Sequence, residues 1–225
     1  MYNTFKTKIL PVLWSLALLL VVFITVIDFY AFRKPYYEHM YELNGTAESL
    51  AISESDLTKA TDGLLDYLRD NRDDLDISVS IAGEEVAMYN EREISHMVDV
   101  KDLYQGAILV RNVSLVVLVI TTAWLFLSGL SYSLVNGFTK TISTVGFILG
   151  LVVFYALLDF NGFWNAFHKV FFSNDLWLLD PRVDRLITMV PLNFFSGMVT
   201  RIVVTIVIVL SVIYGGLATW RKHQK

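Results

Sequence analysis

The sequence predicts an all-α membrane protein: four transmembrane helices carrying a small α+β extracytoplasmic cap, a helix plus a β-hairpin. Three observations carry that prediction. The 225-residue chain is 55% apolar with a mean hydropathy of +0.52, too apolar for a soluble domain of ordinary composition. Four long apolar runs stand out, about 9–32, 107–134, 141–160 and 194–220, each near or above the roughly 20 residues that cross a bilayer as a helix. A strongly charged insert separates the first run from the second. Within lipid a lone segment satisfies its own backbone amides only as a helix, so the runs are read as helices.

The chain then divides as follows. Residues 1–32 are a cytoplasmic tail and transmembrane helix 1, 33–106 the extracytoplasmic cap, and 107–134 transmembrane helix 2. A short cytoplasmic loop and transmembrane helix 3 occupy 135–160, an extracytoplasmic aromatic loop with an amphipathic helix 161–193, and transmembrane helix 4 with a cytoplasmic tail 194–225. The first run is longer than the roughly 7–15 apolar residues of a secretory signal and no small-x-small site follows it, so it reads as a retained anchor. Lys6, Lys8, Lys140, Arg221, Lys222 and Lys225 fall on one side of this topology. By the positive-inside rule that side is cytoplasmic. Arg33, Lys34, Lys169, Arg182 and Arg185 count the other way.

The cap segment opens with the aromatic stretch KPYYEHMYEL. It continues with a helical pattern on which Leu57, Leu64, Leu65 and Leu68 share a face, with Ser53 or Ser55 as its cap. ISVSIAGEEVAMYN then reads as two short strands about an Ala82-Gly83 turn. NEREISHMVDVK, residues 90–101, is in helical register with the second span, so the helix holding His96 is expected to run straight into it. In the second outer segment, Phe160, Phe163, Trp164, Phe167 and Phe171 recur at helical spacing. There Asp180-Pro181 reads as the cap and first residue of a short helix that Pro191 ends.

Composition also excludes chemistry. The chain has no cysteine, so disulfides, thiolate metal sites and a cysteine nucleophile are absent. Residues 33–109 hold 17 acidic side chains against 7 basic ones, a field that repels nucleic acid. No serine elbow, P-loop, zincin motif or dinucleotide fingerprint occurs.

Ionisable residues at the ends of apolar spans mark function or fold-fixing ion pairs. Asp28, Arg111, Asp159 and Arg201 all fall at the outer ends of their runs, forming an interfacial polar layer near His96 and His168. Residues three or four apart share a helical face, so Arg92, Glu93 and Asp99 line up with His96, and a carboxylate there is expected to orient the imidazole. Two histidines offer general acid and base at neutral pH. His96, Asp99, His168 and Asp175 are the rival reading, a two-histidine carboxylate metal set of unspecific spacing. Phe160, Phe163, Trp164, Phe167, Phe171, Phe172 and Trp177 form an interfacial belt. Of these, Trp164, Phe167 and Trp177 are candidates for lipid contact.

EREISHMVDVKDLY, residues 91–104, and NAFHKVFFSNDLWLLDPRVDRLITMVPLNFF, residues 165–195, together resemble the two signature blocks of the lipoprotein intramolecular transacylase family, four-span bacterial membrane proteins. That resemblance implies an acyltransferase without cofactor or metal, resident in the bacterial cell membrane with its active site at the extracytoplasmic interface. Its partners would be diacylglyceryl-modified lipoproteins and membrane lipids. It would move the sn-2 acyl group of the S-diacylglyceryl-cysteine to the α-amino group of that cysteine, giving the lyso form. The family's catalytic histidine dyad maps by motif onto His96 and His168. Two other classes stand beside it: a non-enzymatic partner-binding or sensor protein using the acidic cap, and a metal-dependent membrane hydrolase.

Overall fold

The computed structural model describes residues 5–223. Lys225, one of the cations used for orientation, lies outside them. The chain forms two compact units, one of residues 1–29, 107–160 and 200–225, the other of 30–106 and 161–199.

The first unit is a bundle built from α1 (Leu10–Ala31) and the apolar parts of α5 (Glu91–Leu127), α6 (Ser133–Leu158) and α9 (Leu192–His223). All four helices are long and apolar enough to cross a membrane. α1 buries Leu10, Trp14, Ala17, Leu19 and Val26, whereas Leu127, Phe147, Leu157 and Val212 face outward as lipid-facing side chains do. Trp14 Nε1 donates to Thr122 Oγ1 at 2.8 Å, and Gly137 brings α6 against the Pro11 backbone of α1.

The turn between the second and third spans comes earlier than the apolar pattern predicts. α5 stops at Leu127 and α6 starts at Ser133, where hydropathy alone carries the second span to Leu134. Gly129 takes φ +66°, its N–H bonds to Phe126 O at 3.1 Å and Leu130 N–H bonds back to Leu125 O at 2.9 Å. This is a glycine helix stop of the kind that side chains with a Cβ resist. The apolar residues beyond it, Leu130 and Leu134, belong to the turn and to the next helix.

The second unit is the cap. It is richer than one helix and a hairpin: α2 (Lys34–Asn44), α3 (Thr46–Leu50) and α4 (Glu54–Leu68) precede the strands β1 (Ser78–Ile81) and β2 (Glu84–Ala87). The aromatic stretch is α2, with Tyr36, Tyr37, Met40 and Tyr41 buried. Tyrosine hydroxyls in this core find partners, Tyr36 at Phe194 O (2.5 Å), Tyr41 at Thr61 Oγ1 (2.9 Å) and Tyr89 at Ala60 O (3.2 Å). Buried hydroxyls without such partners are costly. Ser53 caps α4 by accepting from Asp56 N–H at 3.0 Å, as expected from the sequence. The strands pair antiparallel with Ile81 opposite Glu84, and the two-residue turn between them has positive φ at both Ala82 (53°) and Gly83 (87°), the handedness that tight hairpins favour.

Two elements complete this unit: α7 (Phe160–Phe171) and the single turn α8 (Leu186–Met189). The expected helix opening at Asp180-Pro181 does not propagate. Asp180 O accepts from Val183 and Asp184 N–H, closing a turn, but Asp184 folds back so that its carboxylate accepts Asp180 N–H at 2.6 Å and Asn90 Nδ2 at 2.7 Å. Tertiary bonds therefore hold the chain at Asp184, and a helix resumes only at Leu186. Val190, before Pro191, has left helical geometry at φ −127°, ψ 74°, as pre-proline residues tend to.

Candidate functional site

The histidines meet within the cap unit. His96 lies near the start of α5, eleven residues before the apolar part begins at Ala107, and His168 lies on the last turn of α7. Their ring centroids are 6.1 Å apart, and His96 is 7% and His168 8% exposed. Phe172 packs against both rings, at 5.3 Å from His96 and 5.7 Å from His168.

The local sequence places His96 through a reciprocal cap. Asn90 Oδ1 accepts Glu93 N–H at 3.0 Å while Glu93 Oε2 accepts Asn90 N–H at 2.8 Å, the arrangement of a capping box. Glu93 Oε1 also accepts Leu186 N–H at 2.5 Å. This differs from the expected role. Both carboxylate oxygens serve backbone donors, and none of them orients the His96 ring. Arg185 Nη1 adds a bond to Ala87 O at 2.7 Å, so the loop after α7 is pinned beside the start of α5.

Asp99 also departs from expectation. Its carboxylate accepts Asn174 Nδ2 at 2.8 Å rather than an imidazole N–H; its effect on His96 is through charge. Arg92 donates from Nη2 to Asp175 O and lies 3.9 Å from Asp175 Oδ1. Asp175 and Asp99 are thus engaged, and among the described residues no group of three or more His, Cys, Asp or Glu side chains gathers as metal ligands.

His168 is held on all sides. Its Nδ1 is 2.7 Å from Trp164 O. A carbonyl oxygen only accepts, so Nδ1 must carry the proton and the neutral ring presents a bare Nε2. Trp177 stacks on the ring at 4.8 Å and 25°, and Trp164 and Phe167 meet it edge-on at 5.0 and 5.5 Å. The three aromatic residues picked out for lipid contact therefore surround His168 directly. His96 Nδ1, by contrast, is buried with no hydrogen-bond partner.

Burial lowers the pKa of both histidines. His96 falls to about 4, through loss of solvent first, then the nearby positive charge of protonated His168 and that of Arg92, with Asp99 opposing. His168 is also lowered by burial, with the Trp164 carbonyl opposing. Both rings are neutral near pH 7. Glu93 is raised, again chiefly by burial, with its backbone donors opposing.

In the bundle unit, Arg111 Nη1 pairs with Asp28 Oδ2 at 3.2 Å, one of the pairings expected of the polar layer. Asp159 follows the last turn of α6, and Arg201 lies on α9. Sequence reasoning missed Asn174, Asp184 and Asn90. The Asn90-x-x-Glu93 spacing is a readable capping signal, whereas nothing local marks Asn174.

The family model for the lipoprotein intramolecular transacylase Lit matches residues 12–195. Among solved structures, the chain resembles the membrane-integral lipoprotein intramolecular transacylase Lit from Bacillus cereus, with a TM-score of 0.75 at 19% identity, covering 96% of this chain and 97% of that one. Two variants of that protein, each with a single histidine replaced, also match. The arginine variant gives a TM-score of 0.76 at 20% identity over 100% of this chain and 97% of that one. The alanine variant gives 0.76 at 20% identity over 99% and 98%. No curated protein sequence matches significantly.

Proposed function

This chain belongs to the lipoprotein intramolecular transacylase family, making it a membrane-integral acyltransferase that acts on lipoproteins, and from that premise we propose which bond it remakes and how. The substrate is a lipoprotein whose N-terminal cysteine carries an S-diacylglyceryl group. The sn-2 acyl chain leaves its glyceryl oxygen for the cysteine's own α-amino nitrogen, giving the lyso form. An ester C–O bond breaks, an amide C–N bond forms, and one proton passes from nitrogen to oxygen. Ester-to-amide conversion is downhill and needs no energy source.

The observation that carries this reading is the buried His96–His168 pair, 6.1 Å between ring centres, with His96 Nδ1 left without a hydrogen-bond partner. His168 is the base. Its Nδ1 proton is committed to Trp164 O, leaving Nε2 to take the proton of the attacking amine. His96 supplies an N–H to the departing glyceryl oxygen and recovers its proton from the His168 imidazolium. Donor and acceptor belong to one molecule, so proximity replaces a covalent nucleophile. Depressed pKa values support the scheme, because a base must be neutral at working pH. Trp164, Phe167 and Trp177 offer an apolar wall for the acyl chain.

Both segments of the cap unit join spans on the same side of the topology, the side opposite most of the tail cations. That supports cytoplasmic termini and a site at the extracytoplasmic interface.

The test is mass spectrometry of the N-terminal lipopeptide from a reporter lipoprotein in a diacyl-producing host. An N-acylated, S-monoacylglyceryl peptide of unchanged mass is expected with the protein, and none with His96→Ala or His168→Ala variants that still reach the membrane. Unaltered S-diacylglyceryl peptide in the presence of folded wild-type protein defeats the reading.

A further inference from the structure

Between α7 and the turn at Asp180 runs a short strap, residues 172–177, without helix or strand beyond Phe171. It carries two of the rings that define the site, Phe172 against both histidines and Trp177 stacked on His168. An exposed loop with no ladder of its own must be held by side chains. Two fastenings join it to α5: Arg92 to the backbone and carboxylate of Asp175, and Asp99 to Asn174. Arg92 lies four residues before His96 and Asp99 three after it, so both project from the helical face that presents His96.

The two fastenings differ in what they hold. Asp175 is 80% exposed and its carboxylate is 3.9 Å from Arg92, a geometry worth little in water, so Arg92 holds the strap by the Asp175 carbonyl. The Asp99–Asn174 bond is charge-assisted and 2.8 Å long, the stronger kind. Asn174 also works inward. Its Oδ1 accepts Leu176 N–H at 3.1 Å and its carbonyl accepts Trp177 Nε1 at 2.9 Å. A continuous series of contacts therefore runs from Asp99, one turn from His96, through Asn174 to Trp177 and onto the face of His168. The same bond borders a recess of about 250 Å³ lined by Asp99, Asp102, Leu103, Phe172 and Asn174.

We propose that Asn174 is a positioning residue for acyl transfer, setting the separation and tilt of the two histidines by fastening the Trp177 strap to Asp99. It touches no reacting atom. The proposal rests on the transacylase reading above. Its physical basis is that the histidines come from two elements 72 residues apart in sequence, and a displacement near 1 Å at a reacting pair costs about 10²-fold in rate.

The experiment uses the full-length protein in lipid with a diacylglyceryl lipopeptide, comparing Asn174→Ala, Asn174→Asp and the exchanged pair Asp99→Asn/Asn174→Asp. Asn174→Asp sets two carboxylates against each other; the exchange restores one amide-to-carboxylate bond in reverse. The expected result is that both single variants lose kcat by about 10²-fold with KM and Tm near wild type, while the exchanged pair returns to within roughly tenfold of wild type. Unchanged kcat in Asn174→Ala, or an exchanged pair as slow as Asn174→Asp alone, overturns the proposal. Histidine ¹⁵N spectra separate this from failure of the transacylase reading. If wild-type protein transfers no acyl group, the reading has failed, yet Asn174→Ala still moves the ring signals of both His96 and His168 if Asn174 holds the pair. Signals that stay in place overturn the positioning role itself.

Discussion

Glu93 Oε1 accepts the backbone N–H of Leu186 at 2.5 Å, while Oε2 of the same carboxylate accepts that of Asn90 at 2.8 Å. One buried side chain thereby fixes both the start of the helix that bears His96 and the loop that follows His168. Its influence on the imidazole runs through the backbone.

Removing that carboxylate strands two backbone donors, each costing about 1–3 kcal/mol when buried. Glu93→Ala is expected to lower the Tm of the purified protein clearly and to reduce activity with it. Glu93→Gln keeps one acceptor oxygen but turns an NH2 group towards the other N–H, so its Tm is expected to fall between wild type and Glu93→Ala. A Glu93→Gln protein as stable as wild type shows that one of the two bonds is dispensable.

The pH dependence has a definite sign. His96 titrates near 4 in the folded protein, below its ordinary 6.5, with burial the leading cause. Above 6.5 neither folded nor unfolded chain protonates it, and stability is intact. As pH falls from about 6.5 towards 4 the unfolded chain takes up the proton first, so stability is lost across that window, on the order of a few kcal/mol. His168 is lowered too and adds to the loss. A titration of ¹⁵N-labelled His96 with a midpoint near 4, and a Tm declining across the same range that flattens in His96→Phe, are the expected results. A midpoint near 6.5 shows the ring to be solvated.

Much of this architecture is legible because the signals are local. Ser53 stands three residues before Asp56, Ala82-Gly83 sits between alternating strands, and the polar register of 90–106 continues without a break into the second span. The turn at Gly129 was legible in principle, but a hydropathy average runs through one glycine flanked by leucines. The failed helix at Asp180-Pro181 was not. Its cap signal is genuine, and what defeats it is Asp184 bonding to Asn90, 94 residues away. The histidines were identifiable by type and spacing. The Trp164 carbonyl that holds His168 lies one turn away on the same helix, a spacing the sequence also carries, whereas Asn174 reaches Asp99 only through the tertiary fold.

The Asp28–Arg111 pair joins α1 to α5 at 3.2 Å with both side chains about a quarter exposed. A lone charge in such a span costs about 2.5–3.5 kcal/mol on insertion scales, so breaking the pair from either side should hurt more than removing both charges. Asp28→Asn, Arg111→Gln and the double variant form a cycle, read by Tm in one lipid. A favourable coupling of about 1–3 kcal/mol is expected for residues in direct contact. Additive losses mean that the two charges act independently.

Two glycines should respond differently to the same methyl group. At Gly137 a Cβ would meet Pro11 Cβ at 2.4 Å and the Pro11 backbone C and O at 2.8 Å, and backbone cannot rotate aside. Helix α6 would have to move away from α1, an overpacking that costs about 1–3 kcal/mol. At Gly63 in α4 the nearest atom is Ile77 Cδ1 at 2.3 Å, the free end of a side chain, with Cγ1 at 3.3 Å. Alanine there gains about 1 kcal/mol of helix propensity, which offsets the rearrangement of Ile77. Gly137→Ala should therefore lower Tm while Gly63→Ala stays close to wild type. Adding Ile77→Val to Gly63→Ala removes the clashing methyl and should recover any remaining loss, whereas no single side-chain trimming rescues Gly137→Ala. Equal losses at the two sites would mean that the α1–α6 contact yields as easily as a rotamer, contrary to the tight approach at Pro11.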